Sequence, residues 1–237
     1  IYKYVPMNNF MIDYNGDDCS TSHGVKDPSL RRFLGRACAT GALIGLSLFP
    51  AGCEEDNSSN FNFGTNDPNL VLALGDSITA GGSIASTRYP YQLAELIGKN
   101  VRNEGRCGHT SVDGARRVAA GLLTRYSPGH LLVMFGANDI HYSVPHATSM
   151  ASFRSIIQAA RANNTRVIVG TAIPRFAQNN EIITFNQGLT SLIAEEGVTL
   201  ADTYNAIGTW NRTEYRDGTH LNGVGNATIA RCYADVF

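Results

Sequence analysis

Basic residues are not in excess in this chain: 19 Lys and Arg stand against 20 Asp and Glu, for a formal net charge of −1. That balance removes the electrostatic footprint of a nucleic-acid partner. Cysteine is sparse as well. Five in 237 residues do not make a disulfide framework, and none has the paired Cys/His spacing of a zinc site, so no structural metal is expected. Charged residues are only 16% of the chain and hydrophobic ones 43%, enough to bury one good core. The chain reads as a single soluble domain with an appendage.

The appendage is at the start. Residues 1–30 are polar and without helical or strand period. Arg31, Arg32 and Arg36 then precede the nearly uncharged run Ala37 to Phe49, which ends at Pro50-Ala51-Gly52-Cys53. A positive flank, an apolar stretch and small residues make a secretory signal. The run falls short of the roughly 20 residues of a spanning helix, and a buried core helix would show a polar face that this run lacks. Ala51-Gly52-Cys53 is similar to the end of a bacterial lipoprotein signal, with Pro50 departing from the leucine-like residue usual there. Cys53 is therefore a candidate lipid anchor, beside the plainer alternative of a cleaved soluble protein. Val25 can serve as a bacterial start, which would make residues 1–24 an over-extended reading frame. The Arg31-Arg32 pair has the wrong spacing for a twin-arginine signal. The expectation is an exported bacterial protein: periplasmic, extracellular or membrane-anchored.

Glu54 to Asn69 is acidic and rich in Asn and Ser, the composition of a linker. From residue 70 to 237 apolar runs alternate with helical patterns. Strands are expected at residues 70–74, 101–103, 130–135, 165–171 and 198–201, and helices at 90–97, 113–126, 150–162, 181–195 and 223–236. Such alternation predicts a parallel sheet covered on both faces, a three-layer α/β/α domain of five strands. Ligands bind beyond the carboxyl ends of the strands in such sheets.

Short polar motifs stand just past those ends. Gly75-Asp76-Ser77 follows the first strand, Asn103-Glu104-Gly105-Arg106-Cys107-Gly108 the second and Gly136-Ala137-Asn138-Asp139 the third, while Asp217-Gly218-Thr219-His220 precedes the last helix. Each alone reads as a turn or helix cap. Together, in this order, they resemble the four blocks of the SGNH (GDSL-type) serine hydrolases, over the chain from about Leu70 to the C-terminus. The resemblance implies a flavodoxin-like fold and a cofactor-free serine hydrolase.

It also implies roles. A serine hydroxyl needs a base within hydrogen-bond reach. Ser77 is the expected nucleophile, His220 the base and Asp217, three residues earlier, the group that orients the imidazole. The expected oxyanion donors are the backbone N–H groups of Ser77 and Gly108 and the side-chain amide of Asn138, with a glycine leaving the second N–H unobstructed. Asp76, Asp139 and Asn103 are read as loop-fixing side chains. His109, His141 and His146 lie near the cleft in sequence without metal-ligand spacing. Cys107 and Cys232 are either paired or buried free thiols.

The substrate is the least legible part. The segments Pro174 to Asn180 and Tyr204 to Arg216 are the only sizeable loops near the strand ends, and neither forms an obvious lid, so an open site for a small ester with a short acyl group is expected. Trp210, Tyr204 and Tyr215 could stack on a sugar or aryl leaving group or simply pack the loop. The family resemblance leaves short-chain esterase, xylan-type acetylesterase, lysophospholipase and thioesterase open. A cell-surface binding lipoprotein without turnover is the reading from another class, and it gives no use to a base and an oxyanion hole together.

Overall fold

A computed structural model describes residues 61–81 and 87–237. The signal, lipid-anchor and start-site expectations lie outside these residues. Among the described residues no helix is long and apolar enough to cross a membrane.

Five strands, β1 (Asp67–Gly75), β2 (Asn100–Gly105), β3 (Pro128–Met134), β4 (Arg166–Gly170) and β5 (Thr199–Ala201), form one sheet in the order β2-β1-β3-β4-β5. Every pairing is parallel. The long helices are α2 (Tyr89–Ile97), α3 (Ser111–Ala119), α6 (His146–Ala162), α7 (Asn179–Glu196) and α9 (Gly223–Ala234). Short ones, α1 (Ser77–Ala80), α4 (Leu122–Tyr126), α5 (Ala137–His141) and α8 (Thr203–Ile207), fill the loops. This is the expected three-layer α/β/α fold.

The layers follow from the period of two along each strand. Leu72, Leu74, Leu131 and Val133 point into a core with Phe153, Ile156, Phe185 and Leu189 of α6 and α7. Their neighbours Val71, Ala73, Leu132 and Met134 point the other way, to Leu93, Ile229 and Tyr233 of α2 and α9. Both faces of the central strands are thus buried, so they read as continuous apolar runs. The apolar stripes of α6 and α7 are core, as their spacing suggests.

Several boundaries differ from the sequence reading. The helix expected over 113–126 is two, because Gly121 turns left-handed at φ 92 and ends the first. A capping box between Thr110 and Asp113 also starts α3 two residues early. Residues 61–69, read as the end of a linker, instead belong to the folded body. Asn66 donates from Nδ2 to the carbonyls of Asn163 and Asn164 at 2.5 and 3.0 Å, and Phe63 lies edge-on to His130 at 5.0 Å. The local composition is that of a tether; contacts nearly a hundred residues away hold it.

His130 sits at the amino end of β3 between Phe63 and Phe237, the latter 4.5 Å away between ring centroids. Burial, helped by the charges of Lys99 and Arg166, pushes its imidazole from the ordinary 6.5 down to about 4. It is therefore neutral when folded and protonated when unfolded between those values. The stability tied to this depressed group is complete above pH 6.5 and is lost as pH falls through 4, by on the order of 3 kcal/mol. In thermal melts His130→Phe should gain on the wild type as pH drops from 6.5 to 4. A constant difference across that range would show that the imidazole does not titrate this way.

Candidate active site

The sheet brings the sequence motifs together. Gly75 ends β1 beside Gly105 of β2 and Met134 of β3, so the chain leaves three adjacent strands at the same edge. The order reverses between β1 and β3, which opens the crevice there. Gly75 must be a glycine. A Cβ there would meet Thr79 Oγ1 at 2.0 Å and the Met134 carbonyl at 2.7 Å.

Ser77 is the first residue of α1, and Asp76 caps that helix by accepting the Ile78 N–H at 2.8 Å. Ser77 Oγ lies 3.1 Å from His220 Nε2, and His220 Nδ1 lies 2.9 Å from Asp217 Oδ2. The other Asp217 oxygen accepts the backbone N–H groups of Thr219 and His220 at 2.8 and 2.7 Å. Partial burial pushes the Asp217 carboxyl upward, but the hydrogen bonds from the His220 backbone, the His220 ring and Thr219 outweigh it and hold it at about 2. A carboxylate at Nδ1 fixes the tautomer in which Nε2 can accept the Ser77 proton.

The three oxyanion candidates come from neighbouring loops. Gly108 has φ +75, a left-handed turn that suits glycine. Among the described residues neither its backbone N–H nor that of Ser77 has an acceptor. Asn138 donates one amide hydrogen to the His109 carbonyl at 2.9 Å, which orients the amide and leaves its second hydrogen for another acceptor. The Tyr142 hydroxyl overlooks the same spot, 3.7 Å from where a Gly108 Cβ would be.

The loop-fixing residues are where the sequence suggests. Asn103 donates to the Thr79 carbonyl at 2.9 Å and accepts from the Gly105 N–H at 2.9 Å, joining the β2 loop to α1. Asp139 accepts from the N–H and hydroxyl of Ser111 and, at 2.7 Å, from the Ser149 hydroxyl. Of the nearby histidines, His146 packs edge-on against Phe185 and His141 against Tyr142. No group of three or more His, Cys, Asp and Glu among the described residues can hold a metal. Cys232 is a free thiol while Cys107 is disulfide-bonded, so the two are not paired with each other.

Arg175 was not singled out by sequence. It donates to the Ala137 carbonyl at 3.0 Å, to Gln178 Oε1 at 2.8 Å and to Thr219 Oγ1 at 3.0 Å. One guanidinium thus ties the loop bearing Asn138 to the turn bearing His220. An arginine after Pro174 has no local signature to separate it from a surface charge; only the fold reveals its partners.

A narrow crevice of about 10 Å³ lies beside the hydroxyl, lined by Ser77, Ile78, Gly81, Arg216, His220, Leu221 and Asn226. It has room for little more than one water molecule.

Residues 73–228 match the model of the GDSL-like Lipase/Acylhydrolase family. Among solved structures, a G-D-S-L family protein from Desulfitobacterium hafniense is 21% identical with a TM-score of 0.65, covering 71% of this chain and 99% of that one. Esterase EstA from Pseudoalteromonas is also 21% identical, with a TM-score of 0.60 over 71% of this chain and 96% of that one. A carbohydrate esterase family 3 structure from Talaromyces cellulolyticus is 26% identical, with a TM-score of 0.60 over 70% and 94%. No curated protein matches the sequence.

One group behind Ser77 has a pH signature of its own. Complete burial, aided by the Asp139 charge and opposed by the Ile78 N–H and Arg175, raises the Asp76 carboxyl from 3.8 to about 7. The folded state holds the extra proton between those values, so the stability tied to Asp76 is present below pH 3.8 and is lost as pH rises through 7. His130 acts in the opposite sense over most of the same window, and the two slopes offset each other between about pH 4 and 6.5. Asp76→Asn keeps the cap acceptor and removes the titration. Its melting temperature should gain on the wild type between pH 5 and 8, and parallel curves would refute the protonated carboxyl.

Proposed function

The chain belongs to the GDSL-like lipase/acylhydrolase family, and on that premise we propose that it is a serine esterase that cleaves short-chain carboxylic esters through an acyl-enzyme. The contiguous Ser77 Oγ–His220 Nε2–Asp217 arrangement, at 3.1 and 2.9 Å, carries this reading. Ser77 Oγ attacks the carbonyl carbon as His220 takes its proton. The resulting oxyanion accepts hydrogen bonds from the Ser77 and Gly108 N–H groups and the Asn138 amide. Collapse breaks the ester bond, and His220 returns the proton to the departing alcohol. Water then attacks the acyl-serine with His220 as base, and the acid leaves. Asp217 keeps the imidazole oriented and stabilises its charged form.

The short connections near the strand ends, Pro174 to Asn180 and Tyr204 to Arg216, support a short acyl group over a long one. Likeness to a carbohydrate esterase favours a second reading, in which the ester is an acetyl group on a polysaccharide. We also propose an exported protein, in keeping with the apolar run before Cys53. Tethering through Cys53 remains part of that proposal, and mass spectrometry of the membrane fraction tests it.

Hydrolysis of p-nitrophenyl esters from acetate to palmitate should be fastest on acetate to butyrate. Ser77→Ala should lose about 10⁶-fold in kcat and Asp217→Asn about 10⁴-fold, whereas Asn138→Ala should lose about 10² to 10³. Equal rates for wild type and Ser77→Ala would remove Ser77 as nucleophile. Low activity on these esters beside high activity on acetylated xylan would favour the polysaccharide reading.

A further inference from the structure

Phe176 is 71% exposed, although it stands on a firmly held segment. Its N–H donates to the Gly218 carbonyl at 3.3 Å. Around it, the Tyr215 hydroxyl donates to the Pro174 carbonyl at 2.5 Å, Arg175 to Thr219 Oγ1 at 3.0 Å, and Trp210 Nε1 to the Asp217 carbonyl at 3.2 Å. The Phe176 and Trp210 rings lie 4.8 Å apart at a tilt of 59°, and Trp210 rests at 6.0 Å on Tyr215, which is buried. The outer ring of this stack adds little to the core. The exposed Phe176 ring, stacked on the half-buried Trp210 beside the Asp217–His220 turn, offers a flat apolar face to a ligand.

Its place on the turn identifies which half of the ester it meets. In the esterase reading, on which this step rests, the leaving oxygen must come within hydrogen-bond reach of His220 Nε2 to receive the proton. The oxyanion donors Gly108 and Asn138 belong to the loops after β2 and β3. The alcohol half therefore departs over the Asp217–His220 turn, which Phe176 and Trp210 bracket. Arg216, 53% exposed, lines the crevice beside Ser77 and offers donors to hydroxyl groups at the edge of such a ring.

We propose that Phe176 and Trp210 form a subsite for a flat, apolar-faced ring in the alcohol half of the substrate. A pyranose presents such a face through its axial C–H groups and an aryl alcohol through its π-system, so both share this chemistry.

Trp210 is the only tryptophan in the chain, which makes its fluorescence a reporter at the subsite. The full chain carrying Ser77→Ala is titrated with a mono-acetylated methyl xyloside, with phenyl acetate and with ethyl acetate, which has no ring. A saturable change in emission is expected with at least one ring ester and not with ethyl acetate, and the tighter of the two ring esters identifies sugar or aryl. Adding Phe176→Ala should weaken the ring ester about 3- to 10-fold, with Phe176→Tyr restoring it. In the active enzyme Phe176→Ala should raise KM for that ester by the same factor at unchanged kcat, leaving ethyl acetate unaffected. The proposal is overturned if no ring ester changes the emission, or if Phe176→Ala affects ring and ringless esters alike. Saturable ring binding by a wild-type protein that hydrolyses no ester would support the subsite while refuting the esterase reading.

Discussion

The hydrogen bond between Ser77 and His220 joins residues 143 positions apart, and the rest of the domain serves to keep its ends in reach. Ser77 is held by β1, an interior strand that pairs on both sides. His220 is held from the other end of the chain by α9. Asn222 caps that helix through Val224 and Gly225. One turn later, Asn226 Oδ1 accepts the Tyr89 N–H of α2 at 3.0 Å. Tyr89 and Tyr233 stack at 5.6 Å beneath them, so the helix after His220 is locked to the helix that follows the Ser77 loop. A bond this weak in isolation is kept in place because its partners cannot move independently.

The loop after β4 is the second support. Through Pro174, Arg175 and Phe176 it contacts the 215–219 segment three times, while Arg175 also reaches back to Ala137. The Asp217–His220 turn and the Asn138 loop are thus referred to one guanidinium. Among the described residues the geometry of the site is carried by hydrogen bonds beneath and beside it.

Around Ser77, the protein places carboxylates in unequal environments. Asp217 is surrounded by N–H donors that favour its charge, whereas Asp76 receives the Ile78 N–H in a fully buried position. The first suits a partner for an imidazolium. The second suits a cap whose proton costs little at neutral pH, since a bare charge there would sit close to that of Asp139.

The sequence by itself determined the strand and helix alternation, because apolar periodicity is a local property of residues such as Phe153, Ile156, Phe185 and Leu189. It also marked Ser77, Gly108, Asn138, Asp217 and His220, since each stands in a short motif at a strand end or helix start. What it left illegible depends on distant contacts. Residues 61–69 resemble a tether until Asn66 meets Asn163 and Asn164 and Phe63 meets His130. Arg175 and Phe176 resemble ordinary loop residues until the sheet order brings the β4 loop against Gly218 and Thr219. Composition and period report what a segment can bury, but only the register of parallel strands decides which loops become neighbours, and for that reason the motif bearing Ser77 was readable from the chain while its supports and the exposed aromatic edge were decided by the tertiary structure.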